Sequence, residues 1–144
     1  MTIYFFGPES EYGYLSNFSD HGIEMDGRYW RTVEHYYQAQ KFIAGNIQEG
    51  IRSAKGPDKA KMIARNYKEH INVHWDDIKD EVMFTAVLKK FQTHEDLRAL
   101  LVATGDNELV ENSPGDFYWG CGWNRTGQNK LGKILMKVRA RFKP

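Results

Sequence analysis

The sequence predicts an α+β fold: a single compact, mostly helical domain over residues 1–144, with a few short antiparallel strands that include an N-terminal hairpin. Three observations carry that prediction. Asp26-Gly27 stands between apolar residues (Ile23 and Met25 before it, Tyr29 and Trp30 after), and both positions of so tight a turn favour positive φ. Over residues 76–91, Ile78, Val82, Phe84 or Thr85, Leu88 and Phe91 recur at helical spacing. Over 128–142, Leu131, Ile134, Leu135, Val138 and Phe142 share one helix face.

The remaining elements follow in order. Ile3-Tyr4-Phe5-Phe6 reads as a short strand ended by Gly7-Pro8, and a polar loop leads on to Ser16-Asn17-Phe18. Thr32 is placed to cap a helix over 33–44, stopped at Gly45. Further helices are expected at 47–54, 58–68 and 94–103, and Leu109-Val110 marks a short strand. No repeat, low-complexity tract or linker divides the chain.

Composition narrows the function. Hydrophobic residues at 41% and charged residues at 27% are ordinary for a soluble globular protein. A formal net charge of +1 argues against a binder governed by nucleic-acid electrostatics. The lone Cys121 excludes an internal disulfide and a thiolate zinc site, and suits a reducing compartment. No apolar run approaches the ~20 residues of a membrane span, and the first residues lack a signal-peptide pattern. The expectation is a cytoplasmic protein with no membrane partner, no metal and no cofactor.

Two blocks carry candidate chemistry. Residues 111–123 combine Asp116 with four aromatic rings (Phe117, Tyr118, Trp119, Trp123) and three glycines, between a strand and a helix. Rings lining a concave site stack on flat heterocycles, and glycines such as Gly120 let backbone approach a ligand closely. The second block, Trp30 to Phe42, opens the helix after the hairpin. Glu34 and Lys41 are seven residues apart, on nearly the same helical face at about 10 Å of rise, with Gln38 between them and Tyr37 beside. For an arbitrary helix these would be a solvated acid and base near the two ends of the dipole.

Together these blocks resemble the NADAR family, the YbiA-like N-glycosidases. Tyr14 to Phe18, the Trp30 to Phe42 block and Trp75 carry the resemblance. So do Leu109 to Glu111, Asp116 with Trp119-Gly120, and Gly127 to Gly132 running into Leu135-Met136. It covers almost the whole chain in order, and residues 45–72 contribute least. The resemblance implies cleavage of an N-glycosidic bond between a phosphorylated ribose and a nitrogenous group. The substrates it implies are early riboflavin-pathway intermediates, in which a phosphoribosyl group is joined through an amine to a pyrimidine. Some relatives instead remove ADP-ribose from modified guanine, so an ADP-ribosyl small molecule or ADP-ribosylated nucleic acid is the alternative partner. A non-catalytic module that binds ADP-ribose or NAD is a further reading, against which the presence of Glu34, Lys41 and Asp116 together argues. Carried over by position, the active-site set falls on Glu34, Lys41, Trp75, Asp116 and Trp119, with Asn17 and Asn129 as polar contacts. Phe18, Tyr37, Gln38, Gly120 and Arg125 complete the expected substrate-binding residues.

Two routes fit these residues. A glycosylamine can open to an imine, so a deprotonated Lys41 can attack C1 and form a Schiff base that water resolves, with Glu34 or Asp116 moving protons. Alternatively water attacks an oxocarbenium-like C1 directly, with one carboxylate as acid and the other as base. Trp119 or Trp75 stacks on the base in either route. For the phosphate, the sequence offers Arg125, Lys130 and the backbone amides near Gly127, where the last helix begins. The run from Gly127 to Lys133 spells part of a Walker A loop, but Ile134 stands where the magnesium-binding hydroxyl belongs. His35 reads as a hydrogen-bonded core ring rather than a base, and Cys121 as a small packed thiol.

Overall fold

The computed structural model describes residues 1–144 and is α+β, with six helices and two two-stranded sheets. Two compact units are distinguishable: Met1–Ser19 with Phe91–Pro144, and Asp20–Lys90.

In the first unit, β1 (Thr2–Phe5) pairs with β4 (Glu108–Glu111) in register Ile3↔Leu109 and Phe5↔Glu111. This pair is parallel, whereas the expectation was of antiparallel strands; its members lie about a hundred residues apart, beyond any local turn. Ile3 and Phe5 are buried while Tyr4 faces out, the alternation of a strand with one covered face. α5 (Glu95–Ala103) and α6 (Lys130–Phe142) complete the unit. Leu131, Ile134, Leu135 and Val138 are buried on α6 as expected. Gly132 explains how closely α6 lies on the sheet, since a Cβ there would collide with the Leu109 carbonyl. Arg139, buried on α6, donates from Nη1 to Thr104 Oγ1 at 2.9 Å and to the Asn107 carbonyl at 2.8 Å, pinning the helix to the turn after α5.

In the second unit, β2 (Ile23–Met25) and β3 (Arg28–Trp30) form the expected antiparallel hairpin, with Asp26 at φ 55° and Gly27 at φ 79°. Thr32 caps α1 (Val33–Ala39), accepting from the His35 amide at 3.1 Å. α2 (Gly45–Arg52) and α3 (Pro57–Asn66) pack on α1 and on each other. Gly45, expected to stop the first helix, instead opens α2, and α1 ends at Ala39. α4 (Trp75–Thr93) ends three residues into the first unit. Its buried line is Trp75, Met83, Ala86, Val87, Lys90 and Phe91, while Ile78 is 39% exposed; the covered face is rotated from the one its apolar spacing suggested. No helix is long and apolar enough to cross a membrane.

Candidate active site

Every residue of α1 is buried, including Glu34 at 7% exposure, His35 at 0% and Gln38 at 3%. A helix covered all round that carries three polar side chains must satisfy them internally. His35 does so completely. Its Nε2 donates to the Ala54 carbonyl at 3.0 Å, and its Nδ1 accepts from the Thr32 hydroxyl at 2.8 Å. Burial holds the ring below the usual histidine range, with Arg31 adding to the effect. The ring is thus a neutral strut under the helix, as expected.

Glu34 and Gln38 form an i,i+4 pair: Gln38 Nε2 donates to Glu34 Oε2 at 2.6 Å. Gln38 Oε1 is buried and has no hydrogen-bond partner. One side of the amide therefore holds the carboxylate, and the other is a bare acceptor.

Lys41 lies beyond the helix end, in tight turns where its own amide donates to the Gln38 carbonyl and Phe42 donates to Ala39. Lys41 therefore does not share the α1 face that carries Glu34, although the Glu34 charge still acts on it. Burial lowers the Lys41 amine from its ordinary value, Glu34 pulls it back up, and Lys61, Lys79 and Arg65 push it down again. Its Nζ sits 5.4 Å from the centroid of the Tyr37 ring. Tyr37 in turn meets Trp75 with ring centroids 5.2 Å apart at 60°. Asn72 fixes this arrangement. Its amide donates to the Lys41 carbonyl at 2.8 Å, its carbonyl accepts from Trp75 at 2.9 Å, and its Oδ1 accepts from His74 at 3.1 Å. Glu34, Tyr37, Gln38, Lys41 and Trp75 are thus brought together within one unit.

The remaining expected residues belong to the other unit. Asp116 Oδ1 accepts from the amides of Tyr118 and Trp119, at 2.9 and 2.8 Å, winding the aromatic segment into a turn. The Tyr118 and Trp119 rings meet edge-on at 4.9 Å. At Gly120 a Cβ would stand 3.0 Å from the carbonyl oxygens of Asp116 and Glu111, so the space its missing side chain leaves is filled by the loop itself. Asn129 is buried and bridges α6 to β4: Nδ2 donates to the Leu109 carbonyl and Oδ1 accepts from the Glu111 amide, both at 2.9 Å. Asn17 is buried and Phe18 half-buried. Arg125 is exposed, with its guanidinium 4.5 Å from the centroid of the Tyr4 ring.

The proposed phosphate site at the start of α6 needs correction. The amides of Gly127, Gln128, Asn129, Lys130 and Leu131 donate to the carbonyls of Cys121, Phe117, Gly120, Tyr118 and Trp119, at 2.7–3.1 Å. The positive end of the helix is already closed by the aromatic loop, so those donors are engaged within the protein. Sequence reasoning also missed Lys61, Arg65 and Lys79, whose charges act on Lys41. Their spacing held a sign: Lys61 and Arg65 are i,i+4 on α3, and Lys79 follows Trp75 by one turn of α4.

A buried carboxylate held by an amide, beside an amine lowered by burial, is an arrangement of the class that can carry acid–base or amine chemistry. The chain belongs to the NADAR domain family, whose model matches residues 4–143 and so spans both units. It is 51% identical over 142 residues to an N-glycosidase of Nostoc punctiforme, covering 96% of this chain and 91% of that one. It is 42% identical over 139 residues to a riboflavin biosynthesis protein of Vibrio vulnificus, covering 96% of this chain and 38% of that one. The NMR structure of Escherichia coli YbiA superposes with a TM-score of 0.89 at 40% identity, covering 97% of this chain and 83% of that one.

Proposed function

We propose that this chain, an enzyme of the N-glycosidase class, cleaves the bond between a phosphorylated ribose and an amine nitrogen, as in early riboflavin-pathway intermediates. The observation that carries the reading is the Glu34–Gln38 pair beside the depressed amine of Lys41. In the proposed reaction the glycosylamine opens to its imine and neutral Lys41 adds to C1 through Nζ. A proton passes to the substrate nitrogen, the C1–N bond to the leaving amine breaks, and a Schiff base to Lys41 remains. Water then adds to C1, the Lys41–C1 bond breaks, and the freed aldehyde recloses as the sugar phosphate. Glu34, held in place by the Gln38 donor, takes the proton from the attacking water. Asp116 is the second carboxylate of the proposal, and Trp119 or Trp75 the ring that stacks on the base. Asn17, Phe18, Gly120, Arg125 and Asn129 remain proposed substrate contacts.

The name of the Vibrio vulnificus relative supports the riboflavin intermediate as substrate. Removal of ADP-ribose from guanine in nucleic acid is the second reading. The exposed Phe117 and Trp123 rings, 6.4 Å apart, favour it, because a free intermediate has no use for an outward stacking surface. Incubation with a phosphoribosylated aminopyrimidine and, separately, with an ADP-ribosylated guanine oligonucleotide distinguishes the two by which sugar phosphate is released. Glu34→Ala is expected to abolish release while the fold survives, and release from neither substrate would overturn the function. Borohydride added during turnover is expected to leave a sugar adduct on Lys41. Active enzyme without that adduct would favour direct attack by water.

A further inference from the structure

We propose that Lys61, Arg65 and Lys79 form the subsite for the phosphoryl group of the sugar substrate, a dianionic monoester or the diphosphate of an ADP-ribosyl group. The inference rests on the reading above that the substrate is a phosphorylated sugar. It begins with how α3 meets α1. Ala60 and Ala64 are buried at 0% and 2% exposure, and such small side chains let the two helices approach closely. Lys61 and Arg65 each follow one of these alanines, so they stand in line on the flank of that contact. The third cation comes from α4. Trp75 is anchored against Tyr37, and Lys79, one turn on, shares its face and is 20% exposed along its side chain.

All three cations act on Lys41, whose amine lies over the same Tyr37 ring. Glu34 opposes these cations at Lys41, and Asp76 sits 3.0 Å from the Lys79 ammonium. Cations that act on one buried amine disfavour its charged form, and an anion among them reverses the sign. A phosphate monoester carries nearly two charges at neutral pH and three acceptor oxygens, matching that need. The rival amides at the start of α6 are committed to loop carbonyls. The same cations would bring the phosphate of the substrate beside the amine that attacks C1.

The test is calorimetric titration with ribose 5-phosphate, ADP-ribose and ribose, on wild type, on Lys61→Ala/Arg65→Ala, on Lys79→Gln and on Arg125→Ala/Lys130→Ala. Lys61 and Arg65 are exposed, so their replacement leaves the core intact, as circular dichroism would check. Loss of charge-assisted contacts is expected to weaken ribose 5-phosphate or ADP-ribose by about 10–100-fold in the first two variants, with ribose unchanged. Undiminished phosphate affinity in those variants, or its loss in the Arg125 pair instead, would overturn the subsite. The function and the subsite fail separately. Protein that binds ribose 5-phosphate through these residues but cleaves no glycosylamine refutes the function alone. Active enzyme whose preference for phosphorylated over dephosphorylated substrate survives Lys61→Ala/Arg65→Ala refutes the subsite alone.

Discussion

Gln38→Leu separates a structural from a functional role for the α1 pair, because two opposing quantities can be set against each other. The substitution removes the 2.6 Å donor to a carboxylate that is 7% exposed. Hydrogen bonds to charged groups contribute about 1.5–3 kcal/mol. The same substitution also deletes Oε1, a buried acceptor with no partner, whose burial costs about 1–3 kcal/mol. The terms nearly cancel, so unfolding free energy from urea titration is expected to change by no more than about 1 kcal/mol. Turnover is not protected by that cancellation. Glu34 loses its hold, so on the proposed mechanism kcat/KM is expected to fall about 10–100-fold. Gln38→Glu behaves differently. Two carboxylates at this separation cannot both stay charged, so the folded pair keeps a proton to higher pH than the unfolded chain does. That raised value makes the variant comparatively stable in acid and progressively less so as pH climbs through it. A Gln38→Leu protein that lost 3 kcal/mol or more, or that turned over at the wild-type rate, would refute the reasoning.

Two further substitutions test the scaffold. Thr32→Ala removes the α1 cap and leaves His35 Nδ1 buried without its donor, for an expected loss of about 2–4 kcal/mol that Thr32→Ser restores. Because the folded His35 value is depressed, its contribution is complete above the unfolded value near 6.5 and is lost as pH falls below it; urea titrations from pH 7.5 to 5 would show that decline. Lys90 is 2% exposed on α4, and burial lowers its amine from 10.5 to about 7. Between those values the unfolded chain holds more protons, so wild-type stability is expected to rise from pH 7 to 9.5. Lys90→Met should abolish that slope and gain about 1–4 kcal/mol at pH 7. A less stable Lys90→Met protein with the slope intact would contradict this.

Local chemistry made part of the molecule legible. Asp26-Gly27 announced the hairpin because both residues tolerate positive φ, and Thr32 announced α1 because its hydroxyl caps the first turn. What depended on distant partners was hidden. α1 stops at Ala39 in company with two bonds from afar: Gln48 Nε2 donates to the Phe42 carbonyl at 2.6 Å, and Asn72 donates to Lys41. No apolar spacing encodes either bond, so the pattern from Val33 to Ala44 read as one longer helix. The face of α4 was misjudged for a related reason. Ile78 is apolar yet exposed, while Lys90 is charged yet covered, and periodicity weighs only the letters. In the candidate site, the letters identified Glu34 and Lys41 but not the cations around them. Lys61, Arg65 and Lys79 look like ordinary surface charge until α3 and α4 are placed.

The five bonds from Gly127–Leu131 amides back to Phe117–Cys121 carbonyls have a consequence for length variation. Rungs so closely spaced tolerate no slippage: one inserted or deleted residue inside either segment would displace the rungs beyond it, whereas the connecting residues 122–126 carry none of them. Residues 117–121, with Trp119 among them, and 127–131 can therefore hardly change their count. A mutation far along α6 that tugs on that helix would be felt at the tryptophan.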